Sequence, residues 1–331
     1  MKSERKRLLT KIAYLYYYKD KTQSQISKEL GINRSSISRY LKRARDEDIV
    51  KIHIDGLESE KILLEDFVKS HYNLNNIEIV SVNSSDSEKT KNNKISKRAG
   101  EFIKQLIRPN MIVGLSWGAS ISNTIKTIET QMNTECTFIP IVGGPTQVNS
   151  HYHVNTLVYE MALKFGGQSL FMNAAVVQEN KDITQRIYKT NYVEEITNYW
   201  DKLDLVIVGI GGTLDSKESQ WRYLLGDKCL EELKFFDAIG DCCCRFFNKD
   251  GRVIKSDVYD NTIAIDLDRI SKVPKSIGIA RGKEKAKAIL AIIRANILNN
   301  IVTDCETIEE VLKLDGIDNW KNEIYKIKTN E

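Results

Sequence analysis

The sequence predicts an α/β protein in which a small N-terminal unit of three helices precedes a larger domain of alternating strands and helices. Three observations carry this reading. Residues 1 to 55 hold three short helical patterns around one tight turn. From about residue 75 onward, short apolar runs alternate with helical segments. At 331 residues the chain is also too long for one core of roughly 100 to 200 residues, so two domains are expected.

The first helix rests on Leu8, Leu9, Ile12, Leu15 and Tyr16, apolar at helical spacing within residues 5 to 19 and ended by Asp20-Lys21. Thr22 fits the N-cap of a second helix through Leu30, with Ile26 and Leu30 facing inward, and Gly31 supplies the turn. Asn33 is expected to cap a third helix, Arg34 to about Asp46, whose Ile37 and Leu41 sit four apart on its inner face. Three short helices joined by such a turn form a helix-turn-helix. The alternating run Ile49 to Ile54 then reads as a strand or short wing.

Charge gives that unit a purpose. Residues 1 to 55 carry 14 Lys/Arg against 7 Asp/Glu, a net +7, so the other 276 residues hold −3 of the overall +4. A cationic field confined to one short segment favours a polyanion, because neutralised phosphates release condensed counterions. The outer face of the third helix presents Arg34, Ser35, Ser36, Ser38 and Arg39 where side chains reach base edges in a major groove. Gln23, Lys42, Arg43 and Arg45 are assigned to phosphates, which give affinity without sequence information. Double-stranded DNA is the expected partner, and a homo-oligomer (dimer or tetramer) is expected because one such helix reads too few base pairs.

Leu57, Leu63, Leu64, Phe67 and Val68 make residues 57 to 72 an amphipathic helix. The division is then 1–55 for the DNA-binding unit, 56–74 for a connector and 75–325 for the larger domain. A strand over Ile77 to Val82 leads into polar residues 81 to 94, which read as a surface loop. Further strands are expected in the runs at 111–117, 136–143, 168–177, 205–212, 235–247, 262–267 and 275–280. Several of these are apolar without alternation, as in strands covered by helices on both faces.

The six cysteines, Cys136, Cys229, Cys242, Cys243, Cys244 and Cys305, contain no CxxC pair and no histidine at zinc-finger spacing, so neither metal nor cofactor is expected. "DCCCRFF", Asp241 to Phe247, reads as a buried strand in which cysteine serves as a small hydrophobe. No apolar run approaches the roughly 18 residues of a membrane helix, and the N-terminus lacks a signal-peptide pattern, so a cytoplasmic protein is expected.

Four glycine-bearing turns follow strands: "GLSWGAS" (114–120), "VGGPT" (142–146), "GIGGT" (209–213) and "GIARGKEK" (278–285). In open α/β sheets, ligands bind beyond the strand C-termini, and anions favour such turns and helix N-termini. Ser116 and Ser120 in the first turn, with Arg281, Lys283 and Lys285 in the last, point to a small phosphorylated or polyhydroxylated ligand. GxxxxGK[ST] is absent and "GIGGT" lacks the full dinucleotide fingerprint, which argues against NTP and NAD.

The run "SQISKELGINRSSISRYLKRARDEDIVKIHI" together with "VGLSWGASI", "PIVGG", "LVIVGIGG", "AIGDCCCRFFNKDGRVI" and "GIARGKEKAKAILAIIRANILNNIVTDCETIEEVL" resembles, in that order, the SorC family of sugar-responsive transcriptional regulators. The resemblance spans nearly the whole chain. It implies a Rossmann-like effector domain similar to the glucosamine-6-phosphate deaminase and ribose-5-phosphate isomerase fold, binding a sugar or sugar phosphate that sets the DNA affinity of an oligomer. Carried over residue by residue, it implies a phosphate-facing turn at Ser116, Trp117, Gly118 and Ser120, and a second turn at Gly143 and Gly144. It further implies that Gly209 and Gly211 line the cleft, that Asp241 and Arg245 support it, and that Lys285 is the lysine of the last turn. Where the family usually has two adjacent glycines, this chain has Arg281-Gly282, so Arg281 joins the candidate effector residues. The rival reading is a sugar-phosphate isomerase or deaminase with an accessory nucleic-acid-binding domain. Asp204, Asp241, His151 and His153 are its candidates for acid–base work, but no partner for the histidines is evident in the sequence, and the expectation is no enzyme.

Overall fold

The computed structural model describes residues 2–50, 57–129, 132–145, 150–215, 222 and 225–322. The chain divides into two compact units, Met1–Ser59 and Glu60–Glu331.

In the first unit, α1 (Lys2–Ala13) runs into one π-helical turn, Tyr14–Tyr18, followed by α2 (Gln23–Leu30) and α3 (Arg34–Asp46). Thr22 caps α2 as expected and does so reciprocally: its Oγ1 accepts from the Gln25 N–H, while the Gln25 side chain accepts from the Thr22 N–H. Gly31 ends α2 at φ 66°, a left-handed conformation that glycine adopts without strain. Asn33 stands at the N-cap of α3, but its side chain makes no capping bond; its carbonyl instead accepts from Ser36 and Ile37. Ile12, Leu15, Ile26, Ile37 and Leu41 form the core between the helices. The expected wing lies outside the described residues from position 51 onward.

The second unit takes in α4 (Leu57–His71) from Glu60 onward, and Leu64, Phe67 and Val68 of that helix are buried in its core. Its order then runs β1 (Asn76–Val80), α5 (Glu88–Leu106), β2 (Ile112–Leu115), α6 (Ala119–Thr127), β3 (Thr137–Pro140), α7 (Val154–Phe165) and β4 (Gln168–Ser169). There follow α8 (Lys181–Tyr188), α9 (Asn191–Tyr199), β5 (Leu205–Gly209), α10 (Asp227–Phe235), β6 (Gly240–Cys242) and β7 (Arg245–Phe247). The chain continues through α11 (Asp257–Asp260), α12 (Leu267–Ile270), β8 (Lys275–Ile279), α13 (Ala286–Arg294), β9 (Asn300–Asp304) and α14 (Cys305–Leu314).

Seven strands pair in parallel in the order β1-β9-β8-β5-β2-β3-β4. Alternate residues feed two cores. Leu205 and Ile207 of β5 join α5, α6 and α7 on one face, whereas Val206 and Val208 join the helices of the other. Burial on both faces explains why these strands read as continuous apolar runs.

Several expectations need correction. The loop expected over residues 81 to 94 is shorter, because Ser87 caps α5 through the Thr90 N–H and the helix starts at Glu88. The run at 168–177 is a strand for only two residues, and that at 262–267 makes isolated bridges before α12. The run at 235–247 is a helix end followed by a β6–β7 hairpin. Cys243 and Cys244 form its two-residue turn at φ 50° and 60°, so "DCCCRFF" folds back on itself instead of running straight. Strand β9 was not anticipated, although its five residues are all buried.

Candidate functional sites

In the first unit, α3 turns Ile37, Leu41 and Ala44 inward, which leaves Arg34, Ser35, Ser38, Arg39, Lys42, Arg43 and Arg45 exposed on its other sides. Ser36 is half-buried and accepts from Arg39 Nη2 at 3.2 Å. Gln23 opens α2 and is half-buried. Arg43 is paired with Glu47 one turn on, Nε to Oε1 at 2.5 Å, so part of its charge is already met within the helix. The α3 surface is therefore cationic and rich in donors at its start, the arrangement a recognition helix needs.

In the second unit a cavity of about 350 Å³ opens beyond the C-terminal ends of β2, β5 and β8. Ser116, Trp117, Gly118 and Ser120 line it from the turn after β2. Gly118 takes φ 131° as the N-cap of α6, which a side chain would strain, and the first amides of α6 are left without helical partners. Gly209 at the end of β5 and Gly211 just beyond it line the cavity, as do Arg281 and Lys285 after β8. Gly211 must lack a side chain, because a Cβ there would overlap Asp241 Oδ1.

Asp241 reaches the cavity from β6 and is held by Arg222, whose Nη2 donates to Oδ1 at 2.9 Å. The same guanidinium donates to the carbonyls of Gly212 and Thr213, so one arginine ties the turn after β5 to the hairpin. Arg281 Nε donates to Asp304 Oδ2 at 3.0 Å, and its Nη1 donates to Glu88 Oε2 at 2.7 Å and to Asn92 Oδ1 at 3.0 Å. Burial opposes the charge on Arg281, but the bonds to Glu88 and Asp304 outweigh it and raise the pKa.

Four expected residues, Gly143, Gly144, Arg245 and Lys283, do not line the cavity. Gly143 gives its carbonyl to the Trp117 indole N–H at 3.0 Å, linking the first two turns. Gly144 packs on the His153 ring, leaving no room for a Cβ. Arg245, 4% exposed, donates to the carbonyls of Tyr259 and Ala264 and stacks over the Tyr259 ring at 4.2 Å, bracing the hairpin from outside the cavity.

Two of the acid–base candidates make backbone hydrogen bonds away from the turns that line the cavity. Asp204 Oδ2 accepts from the Ile112 N–H, and His153 Nδ1 accepts from the Asn155 N–H at the start of α7. Burial pushes the Cys244 thiol well above its usual pKa, as befits a protonated core residue. Sequence reasoning missed Asn92 and Ser96 on α5, Tyr152, and the turn cysteines Cys243 and Cys244, all of which line the cavity. It also missed Arg222, which sits in a stretch without strand or helix signal. Among the described residues no group of three or more His, Cys, Asp or Glu could hold a metal, and no helix is long and apolar enough to cross a membrane.

A helix-turn-helix with a basic, hydroxyl-rich third helix, in one chain with a polar cleft above a parallel sheet, defines a ligand-responsive DNA-binding regulator. The sugar-binding domain family model matches residues 58–313, and the model of sigma-70 region 4 matches residues 10–47. The sorbitol operon regulator of Klebsiella pneumoniae is 32% identical over 309 residues, covering 93% of this chain and 98% of that protein. The full-length structure of that regulator superposes with a TM-score of 0.75 over 93% of this chain and 99% of its own. A transcriptional regulator from Streptococcus pneumoniae TIGR4 is 37% identical with a TM-score of 0.75, over 79% of this chain and 100% of its own. The chain belongs to the SorC family of sugar-responsive transcriptional regulators, as its motifs led us to expect.

Proposed function

We propose that this chain binds the operator of a carbohydrate-utilisation operon through α3 and senses a sugar or sugar phosphate in the cavity above β2, β5 and β8. The observation that carries the reading is the convergence of three strand-end turns and Asp241 on one cavity of about 350 Å³ that mixes polar and apolar walls, a volume suited to a small ligand. The reading is sensing without turnover. The carboxylate that Asp241 brings to the cavity is spent on Arg222, and the relatives named above are regulators. In this reading the protein works in the cytoplasm as a homo-oligomer, and the effector favours one arrangement of paired recognition helices. Linkage then makes effector and operator affinities reciprocal, and a coupling of about 1 to 3 kcal/mol changes occupancy some 5- to 150-fold.

The test is an operator-binding titration of the full chain with and without a panel of sugars and sugar phosphates, alongside Ser120→Ala and Lys285→Ala. At least one ligand is expected to change operator affinity, and both variants to keep operator binding while losing that response. A folded, oligomeric variant that no longer binds the operator would contradict the division of labour between the units.

A further inference from the structure

We propose that Asn92 and Arg281 form a specificity-determining pair that reads an uncharged oxygen of the effector at the end of the cavity between β8 and α5. The proposal rests on the effector reading given above. Both residues line the cavity, and the family resemblance implies a glycine where this chain has Arg281.

The geometry fixes how each side chain faces the ligand. Asp304, 1% exposed, accepts from Arg281 Nε through Oδ2 while its Oδ1 caps α14 at the Thr307 N–H, so the guanidinium is anchored to a rigid strand end. Arginine has donors only, so the Asn92 oxygen must be the atom that faces Nη1 at 3.0 Å. The Asn92 amide N–H groups are then left for the cavity. Arg281 Nη2 makes no hydrogen bond with another described residue, which leaves the pair a second donor.

Local charge decides what kind of oxygen fits. The Arg281 cation lies between two carboxylates, Asp304 at 3.0 Å and Glu88 at 2.7 Å, and the neighbouring Lys91 is matched by Glu306 at 2.9 Å. The Arg281 charge is thus already matched within the protein, so an anionic group gains little from it here, whereas a hydroxyl, carbonyl or ring oxygen accepts from the two donors without needing a free cation. Arg281 acts partly through Asn92 and is in that respect a positioning residue.

The test uses the full chain, with D-sorbitol, D-fructose and their 6-phosphate esters as probes in thermal-shift and operator-release titrations of the wild type, Asn92→Ala, Arg281→Lys and the double variant. Asn92 is exposed, so its truncation leaves the fold intact. A probe that binds the wild type is expected to bind Asn92→Ala about tenfold more weakly, the weight of one ligand hydrogen bond. Arg281→Lys keeps the charge but loses the fork, and is expected to weaken the same probe. The double variant should be no weaker than the worse single one, a non-additivity that separate structural defects do not produce. Additive losses, or an unaltered Asn92→Ala, overturn the pair while the effector reading stands. If Asn92→Ala removes the advantage of a phosphate ester over its parent sugar, the anion sits here and the uncharged-oxygen assignment is wrong. A wild type that answers to none of the probes overturns the effector reading and the pair together.

Discussion

Arg222 and Asp241 meet at 2.9 Å with both side chains only 7% exposed, and this ion pair joins the turn after β5 to the hairpin that walls the cavity. Breaking a buried pair from one side strands the other charge, which costs about 3–5 kcal/mol. Asp241→Ala is therefore expected to lower the urea midpoint strongly. Asp241→Asn, which keeps an acceptor for Arg222, should cost less. Equal midpoints for the two variants would show that the retained acceptor contributes nothing and that the cost lies in the lost charge.

On the DNA-binding unit, Arg39 and Lys42 are both exposed on α3 but are assigned different tasks. Arg39→Ala is expected to lower operator affinity and to relax discrimination at one base pair, at about 1–3 kcal/mol. Lys42→Ala should weaken all sequences alike and reduce the salt slope by about 1. Arg43→Ala should do less than Lys42→Ala, because Glu47 already holds the Arg43 guanidinium. Titrations on operator and random duplexes at several salt concentrations separate these outcomes.

The hairpin turn gives a stability prediction. Cys243 and Cys244 both hold positive φ without being glycine, a conformation that costs an L-residue roughly 1–2 kcal/mol. Cys244→Val adds a β-branch there and is expected to destabilise the protein more than Cys244→Ala. Thermal melts of the two variants decide it, and a valine variant as stable as the alanine one would remove backbone strain from the account.

Stability should also depend on pH through His153. Burial lowers its pKa below the ordinary 6.5, and the neutral ring uses Nδ1 to accept from the Asn155 N–H. The unfolded chain binds this proton more readily than the folded one, so stability is full above about pH 6.5 and falls as the pH drops below that value. His153→Asn, which offers an oxygen as cap, is expected to flatten that decline in urea titrations between pH 5 and pH 8. An unchanged slope would assign the pH dependence to other groups.

The three helices of the DNA-binding unit were legible because local signals agree: apolar spacing, Thr22 as cap and Gly31 as turn residue. The sheet was legible through runs buried on both faces, and the cavity through the glycine turns that end β2, β5 and β8. What escaped was set by tertiary partners. Asn92 lies in a polar run that reads as loop, and only the Ser87 cap makes it the second turn of α5. Arg222 becomes a site-building residue solely because Asp241, 19 positions on, turns toward it. The cysteine run misled because its composition is apolar, while its fold depends on two backbone dihedrals that composition does not encode.

The register of the sheet also sets an order of assembly during synthesis. Among the described residues β1, near residue 78, pairs only with β9, a partner made more than 200 residues later. The three-helix unit needs no such delayed partner and can close while the ribosome is still translating the rest. For most of its time as a nascent chain, the protein is then a folded recognition unit tethered to an unfinished sensor, and a message truncated before residue 300 would release that unit without the domain that answers to the effector.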